Sequence, residues 1–240
     1  MSQASMCETG AAKGIDTRFV LHPLTDRAIN SLGISSGQLI GFTSESIAYD
    51  PLERRIAGSV SGSMSYDEVS ITLYLRPNTP DQEELRMLAS DQVDFSDLWL
   101  YYSRKGKSGP AFTHFQALDL AEEPCGKFNI GGWSHQSFTR SDLKQVQFTL
   151  TTDGIVAEFD RHTDDVAWTM AGGIITATDA DFSARGFMAG MTVIYETGNT
   201  SSPYGYGKVS ALTATTLTLT DTTLVVASGE GKIHGARTHY

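Results

Sequence analysis

Apolar and polar residues alternate along most of this chain, and a period of two is the signature of a half-buried strand. The clearest run is Val69–Arg76, where Val69, Ile71, Leu73 and Leu75 share one face and Ser70, Thr72, Tyr74 and Arg76 the other. Lys144–Thr152 repeats the pattern, with Val146, Phe148 and Leu150 opposite Gln145, Gln147, Thr149 and Thr151. Further strands are predicted at Gly37–Ser44, Asp97–Arg104, Ala111–Leu120, Lys127–Trp133 and Ile155–Phe159. Asp153-Gly154 sits between two alternating runs and predicts a hairpin, because a type I′ turn needs positive φ. Arg18–Leu24 is apolar, but Pro23 confines it to an edge strand or a docked extended stretch. One segment departs from period two. Thr79-Pro80-Asp81-Gln82 reads as a helix start, with Thr as N-cap, Pro at the first position and Gln at the third. Leu85, Met87 and Leu88 supply its apolar residues, and it ends near Asp91.

The interruptions suggest how the chain is organised. Residues 1–18 are small and polar and read as a flexible arm. Ser46–Asp67 has no clean period, and a connection that long is usually functional or ordered by a partner. Asp160–Asp165 is acidic and nearly devoid of apolar residues, which places a domain boundary there. Beyond it, strands are predicted at Gly173–Thr178, Met191–Glu196, Lys208–Leu212, Thr216–Thr220 and Lys232–Ala236. The expected division is an arm (1–18), a first β domain (19–164) and a small β domain (165–240).

Composition reinforces a mainly β reading. The 26 Thr and 24 Ser among 240 residues suit strands and turns better than helix interiors. The net charge of −10 disfavours a protein that tracks nucleic-acid phosphates or anionic membranes. Residues 1–164 carry −8 of that charge and residues 165–240 carry −2. Cys7 and Cys125 make neither a disulfide framework nor a zinc site. The first 14 residues have no apolar run of the signal-peptide kind, and no 18-residue apolar stretch occurs.

Candidate chemistry is sparse. Gly33-Ile-Ser-Ser-Gly37 matches a nucleophile elbow as a string, but a strand follows it where a helix is required. Gly106-Lys107-Ser108 lacks the first glycine of a phosphate loop, and Gly229-Glu230-Gly231 lacks the following helix. His114 reads as a packed or interfacial strand residue. His162 with Asp160, Asp164 and Asp165 reads as a solvated linker rather than a calcium loop. Trp99, Tyr101 and Tyr102 cluster in one strand. They read as core on one face and subunit contact on the other, or alternatively as a sugar-stacking platform. No catalytic residue, cofactor or metal is expected, and the chain does not read as an enzyme.

The order of these features resembles the major tail tube protein of long-tailed (siphovirus-type) bacteriophages. The features that carry it are the polar arm, the stretch Ser46–Asp67, the strand Glu68–Arg76, the helix Thr79–Asp91, the strand Asp97–Arg104 and the turn at Asp153-Gly154. Phe187–Val193, Gly207–Leu212 and Thr216–Leu219 look like a small β domain appended to phage tail proteins. The resemblance implies a tail-tube-type β-sandwich or barrel with one short flanking helix, followed by an all-β domain on the tube exterior whose loss need not break the tube. It implies hexameric rings of this chain, assembled in the host cytoplasm and stacked into a virion tail. Tip, tape-measure and terminator proteins would be partners, with DNA in transit and no membrane. Phe19, Leu21, Tyr49, Pro51, Leu52 and Ile56 would then dock on neighbouring subunits. The runner-up is a two-domain carbohydrate- or receptor-binding module that uses Trp99 or Tyr101.

Overall fold

In a computed structural model, residues 18–21, 29–30, 34–37, 39–49, 58–76, 80–102, 114–121, 126–137, 139, 143–198, 204–220 and 227–237 are described. The strands before the helix are β1 (Arg18–Leu21), β2 (Ile29–Asn30), β3 (Ile34–Gly37), β4 (Phe42–Tyr49), β5 (Gly58–Tyr66) and β6 (Val69–Tyr74). Helix α1 (Pro80–Asp91) is followed by β7 (Leu98–Tyr102), β8 (His114–Leu118), β9 (Phe128–His135), β10 (Gln145–Thr152) and β11 (Val156–His162). The remaining strands are β12 (Val166–Ala171), β13 (Ile174–Thr176), β14 (Thr192–Glu196), β15 (Tyr204–Leu212), β16 (Thr216–Thr220), β17 (Ser228–Gly231) and β18 (Ile233–Arg237). The fold is mainly β with one helix among the described residues, as the alternation predicts. No helix there is long and apolar enough to cross a membrane.

Four strands in the order β3-β6-β10-β9 make one sheet, and twelve in the order β17-β12-β13-β16-β15-β14-β18-β11-β8-β7-β1-β2 make another. Between them lies the first core. Val69, Ile71, Leu73, Ile130, Val146, Phe148 and Leu150 from the small sheet meet Leu21, Leu98, Leu100, Leu118 and Val156 from the large one, with Leu85 of α1 alongside. Met87 lies outside that apolar face, 54% exposed. Thr79, the expected N-cap, lies outside the described residues, and Gln82 at the third helical position is buried. Its side chain accepts from Arg76 N–H at 2.8 Å and donates to Tyr74 C=O at 2.7 Å, so it extends β6 by one amide-like pair.

One expected edge and one expected hairpin are corrected. β1 is not an edge, because it pairs with β2 on one side and β7 on the other. Nor do the runs flanking Asp153-Gly154 form a hairpin: β10 pairs with β6 and β9, whereas β11 pairs with β8 and β18. The turn is a corner that carries the chain from one sheet to the other. Gly154 is not among the positive-φ residues. Glycine is needed there for closeness, since a Cβ on Gly126 would lie 1.8 Å from the Cα of Gly154. Lys127 N–H donates to the Asp153 carboxyl at 2.6 Å and locks the crossing. The two-glycine turn of type I′ character is instead at Gly172-Gly173, with φ of 57° and 75°, joining β12 to β13.

The stretch Asp160–Asp165 does not separate two freely joined bodies. β11 pairs with β18 through Phe159↔Ala236 and His162↔His234, and β12 pairs with β17 through Val166↔Gly231 and Trp168↔Gly229. Thr163 bridges the gap between them, its N–H donating to Ile233 C=O and its hydroxyl accepting from Ile233 N–H, each at 3.0 Å. Antiparallel pairing therefore resumes across the expected boundary. The acidic residues pair rather than float: Asp165 with Lys232 at 2.7 Å, Asp164 with Arg185, and Asp160 with Arg161 at 2.6 Å.

β17 and β18 are two halves of one strand bent at Gly231 and Lys232, so the end of the large sheet meets its own middle. Strands β12, β13, β16, β15, β14 and the bent β17/β18 thereby close into a six-stranded barrel. Trp168, Ile175, Phe182, Phe187, Met191, Val193, Tyr195 and Leu217 fill it. A third apolar cluster joins this barrel to the sandwich. Trp99, Phe115, Ala117, Ala157 and Phe159 pack there with Ile194 and Ala236, and Tyr101, Tyr204 and Tyr206 lie at the rim.

Candidate functional site

Strands β4 and β5 pair only with each other among the described residues, as a separate two-stranded ribbon. Its ladder runs from Phe42↔Tyr66 to Tyr49↔Gly58, with an irregularity between Ser44 and Ser46. Most of the connection expected over Ser46–Asp67 is thus regular strand. In GSVSGSMSY the period of two is in fact present, with Ser59, Ser61, Ser63 and Ser65 opposite Gly58, Val60, Gly62, Met64 and Tyr66, but the two glycines thin the apolar side; in FTSESIAY it is weaker, with Phe42 and Ala48 on one face and Ile47 and Tyr49 on the other.

The root of the ribbon is held at four places. Gln116, only 8% exposed on β8, accepts from Ile40 N–H at 2.9 Å and donates to Ile40 C=O at 3.0 Å. Its carboxamide therefore acts as a strand partner for the residue that leads into β4. Asp67 N–H donates to Gly41 C=O at 2.9 Å, directly across the root. Thr43 Oγ1 donates to the Asp67 carboxyl at 2.8 Å. The Tyr66 hydroxyl accepts from Val156 N–H at 2.9 Å, which ties β5 to β11. Burial raises the Tyr66 hydroxyl above its ordinary pKa; the Val156 bond opposes that, and the Asp119 carboxyl adds to it.

Behind the root is the seam between sandwich and barrel. The Trp99 ring stacks on Phe115 with centroids 4.5 Å apart and meets Tyr204 edge-on at 4.7 Å. Phe115 stacks in turn on Phe159 at 4.7 Å. His234, 3% exposed, meets the edge of Phe115 at 5.3 Å, and its Nε2 lies 3.6 Å from Glu196. Burial alone would raise the Glu196 pKa. The nearby His234 imidazole and the hydrogen bond from Lys232 N–H outweigh it and hold the carboxyl below its ordinary range. The phenol of Tyr204 is pushed up to about 12 by burial, with Glu196 adding to the shift.

These contacts bear on the reading of Trp99 in the aromatic strand. Trp99 is 1% exposed and offers no face to a sugar, so it cannot be a stacking platform as it stands. The second face of β7 is covered by the chain's own barrel rather than by another subunit. His114 packs edge-on against His162 with centroids 5.9 Å apart. Ile34–Gly37, the core of the elbow-like string, is strand β3.

Of the expected contact residues, Leu21 is fully enclosed in the first core, so its side chain has no surface left for a neighbour. Phe19 lies on β1 opposite Leu100, and Tyr49 ends β4. Pro51, Leu52 and Ile56, like residues 1–17, lie outside the described residues. Sequence reasoning passed over the residues that hold the ribbon: Gln116, Tyr66, Asp67 and Gly41. The one available signal was Gln116 itself, a polar residue two positions from Leu118 on β8.

No family model and no curated protein matches the sequence. Among solved structures, the chain is similar to one from the virion of a native gene transfer agent particle, at 13% identity over 61% of this chain and 97% of that one, with a TM-score of 0.41. It is similar to one in the SPP1 tail tube at 12% identity, over 62% of this chain and 78% of that one, with a TM-score of 0.41. A type six secretion system protein is similar over 68% of this chain and 95% of that one, at 12% identity and a TM-score of 0.36.

Proposed function

We propose that this chain is a self-assembling structural subunit that builds a phage-type tail tube from stacked rings. The observation that carries the reading is the β4–β5 ribbon. Two strands of 8 and 9 residues span roughly 30 Å, and among the described residues they have no third strand. A ribbon of that kind is marginal in water unless something covers it. Yet its root is fixed by buried Gln116 and by Tyr66. A rigid root with an open ribbon suits a projection whose order is completed by another copy of the chain. The free edges of β4 and β5 are the groups such a copy would use.

In this reading the sandwich forms the wall and the barrel stands outside it. Phe19, Tyr49, Pro51, Leu52 and Ile56 are the docking residues, and the arm 1–18 reaches a neighbour. The excess of carboxylates in residues 1–164 keeps DNA in transit from adhering, over the screening distance of about 8 Å at physiological salt. The rings are hexameric, and tip, tape-measure and terminator proteins close the ends.

Electron microscopy of the purified full chain over a wide concentration range tests this. Rings or tubes are expected, and their yield should fall on replacement of residues 50–57 by a short Gly-Ser link. A protein that sediments as a monomer at every concentration, with and without preformed tubes as seeds, overturns it.

A further inference from the structure

The geometry points to Asp119 as the positioning residue through which the C-terminal barrel sets the direction of the β4–β5 ribbon. Asp119 follows β8, is 2% exposed, and belongs to the sandwich. Thr192, 1% exposed, is the first residue of β14 and belongs to the barrel. The Thr192 hydroxyl donates to the Asp119 carboxyl, at 2.7 Å from one oxygen and 2.9 Å from the other. Ala121 N–H also donates to that carboxyl, at 3.1 Å.

The other side of Asp119 leads to the ribbon. Its N–H donates to Ile155 C=O at 2.8 Å, and the next residue, Val156, donates its N–H to the Tyr66 hydroxyl at the end of β5. Three consecutive hydrogen bonds, each no longer than 2.9 Å, therefore run from the barrel to the ribbon root. Buried bonds of this kind are costly to leave unmade, so a displacement at one end is resisted at the other. Gln116, which clamps Ile40, lies three residues before Asp119 on the same strand run. Both sides of the ribbon root thus rest on β8 and its end, and Thr192 is where the barrel grips that end. The barrel is a brace for the ribbon in this arrangement. As a statement about assembly, it rests on the reading proposed above.

The test separates the two. Amide exchange by NMR is measured in the full chain for wild type, Thr192→Val, Thr192→Ser and Asp119→Asn. Asp67 and Val156 report on the ribbon root, and Leu219, whose N–H bonds to Gly173 C=O inside the barrel, is the control. Thr192→Val is expected to speed exchange at Asp67 and Val156 about tenfold with Leu219 unchanged. Thr192→Ser, which keeps the hydroxyl, should restore wild-type rates. Asp119→Asn should give a smaller rise. Unchanged root amides in the valine variant, or a rise shared equally by Leu219, overturns the proposal. If the valine variant does not fold, unchanged root amides in Asp119→Asn overturn it. Tube formation is scored by microscopy on the same samples. Wild type that forms no tubes removes the assembly reading, while the exchange data still decide the brace.

Discussion

The ribbon and the barrel are made of similar material and end in opposite states. Both are rich in Ser, Thr and Gly, and β15 of the barrel, with 9 residues, is as long as the ribbon's strands of 8 and 9. In the barrel each strand finds two neighbours, because β17 bends into β18 and the sheet meets itself. In the ribbon each strand finds one among the described residues. Closure satisfies edges and builds a core around Trp168 and Tyr195; an open ribbon does neither. The difference shows that strand composition says little about which edges are paired within the described residues. What matters is which backbone edges the chain leaves for something else to complete.

The strongest way to break the comparison is to remove the barrel. Deleting residues 166–240 takes away β18, Ile194 and Ala236, and exposes Trp99, Phe115 and Phe159. The remainder is expected to lose near-UV circular dichroism and cooperative unfolding altogether. A 1–165 fragment that unfolds cooperatively would show two independent units instead. The sequence reading, in which loss of residues 166–240 need not break a tube, expects the opposite outcome.

Next in size is Trp168→Ala. Trp168 is 2% exposed, and its Nε1–H donates to Glu196 C=O at 2.9 Å. Truncation should cost about 3–5 kcal/mol, read from denaturant midpoints.

Gln116→Ala sharpens the contrast at the root. Ile40 would lose a partner for both its N–H and its C=O in a buried place. The expected cost is roughly 2–4 kcal/mol. Exchange at Ile40 should rise more than exchange within β16.

The smallest effect is pH-dependent. The Glu196 carboxyl is held below its ordinary value of 4.5 in the folded chain. Its contribution to stability is present above that value and fades as pH falls through the lower folded one. Glu196→Gln should therefore flatten the acid limb of a stability profile taken between about pH 6 and pH 3. An unchanged limb would move the acid sensitivity elsewhere.

How much of this was readable depended on whether a segment's order is local. β6, β10, β16 and α1 could be read from period alone, because each has one apolar face against a core. β17, with the sequence SGEG, has no such face and is placed by its partner β12. The charges of 160–165 resemble a linker until Lys232 and Arg185 are brought in from far along the chain. Leu98 and Trp99 announced two apolar faces on β7, but nothing in that strand says what covers the second. Gln116 was visible only as an oddity on an apolar face, and Asp119 not at all, since its partner is 73 residues away.

The strand pairing that resumes across 163–165, from Phe159↔Ala236 to Thr169↔Ser228, has a consequence for imaging. A knob on a flexible tether blurs out when many subunits are averaged. A knob mounted on two long paired strands points the same way in every copy. In a helical reconstruction of an assembled particle, the barrel should therefore appear at the same strength as the wall, repeating at the subunit spacing like the teeth of a gear.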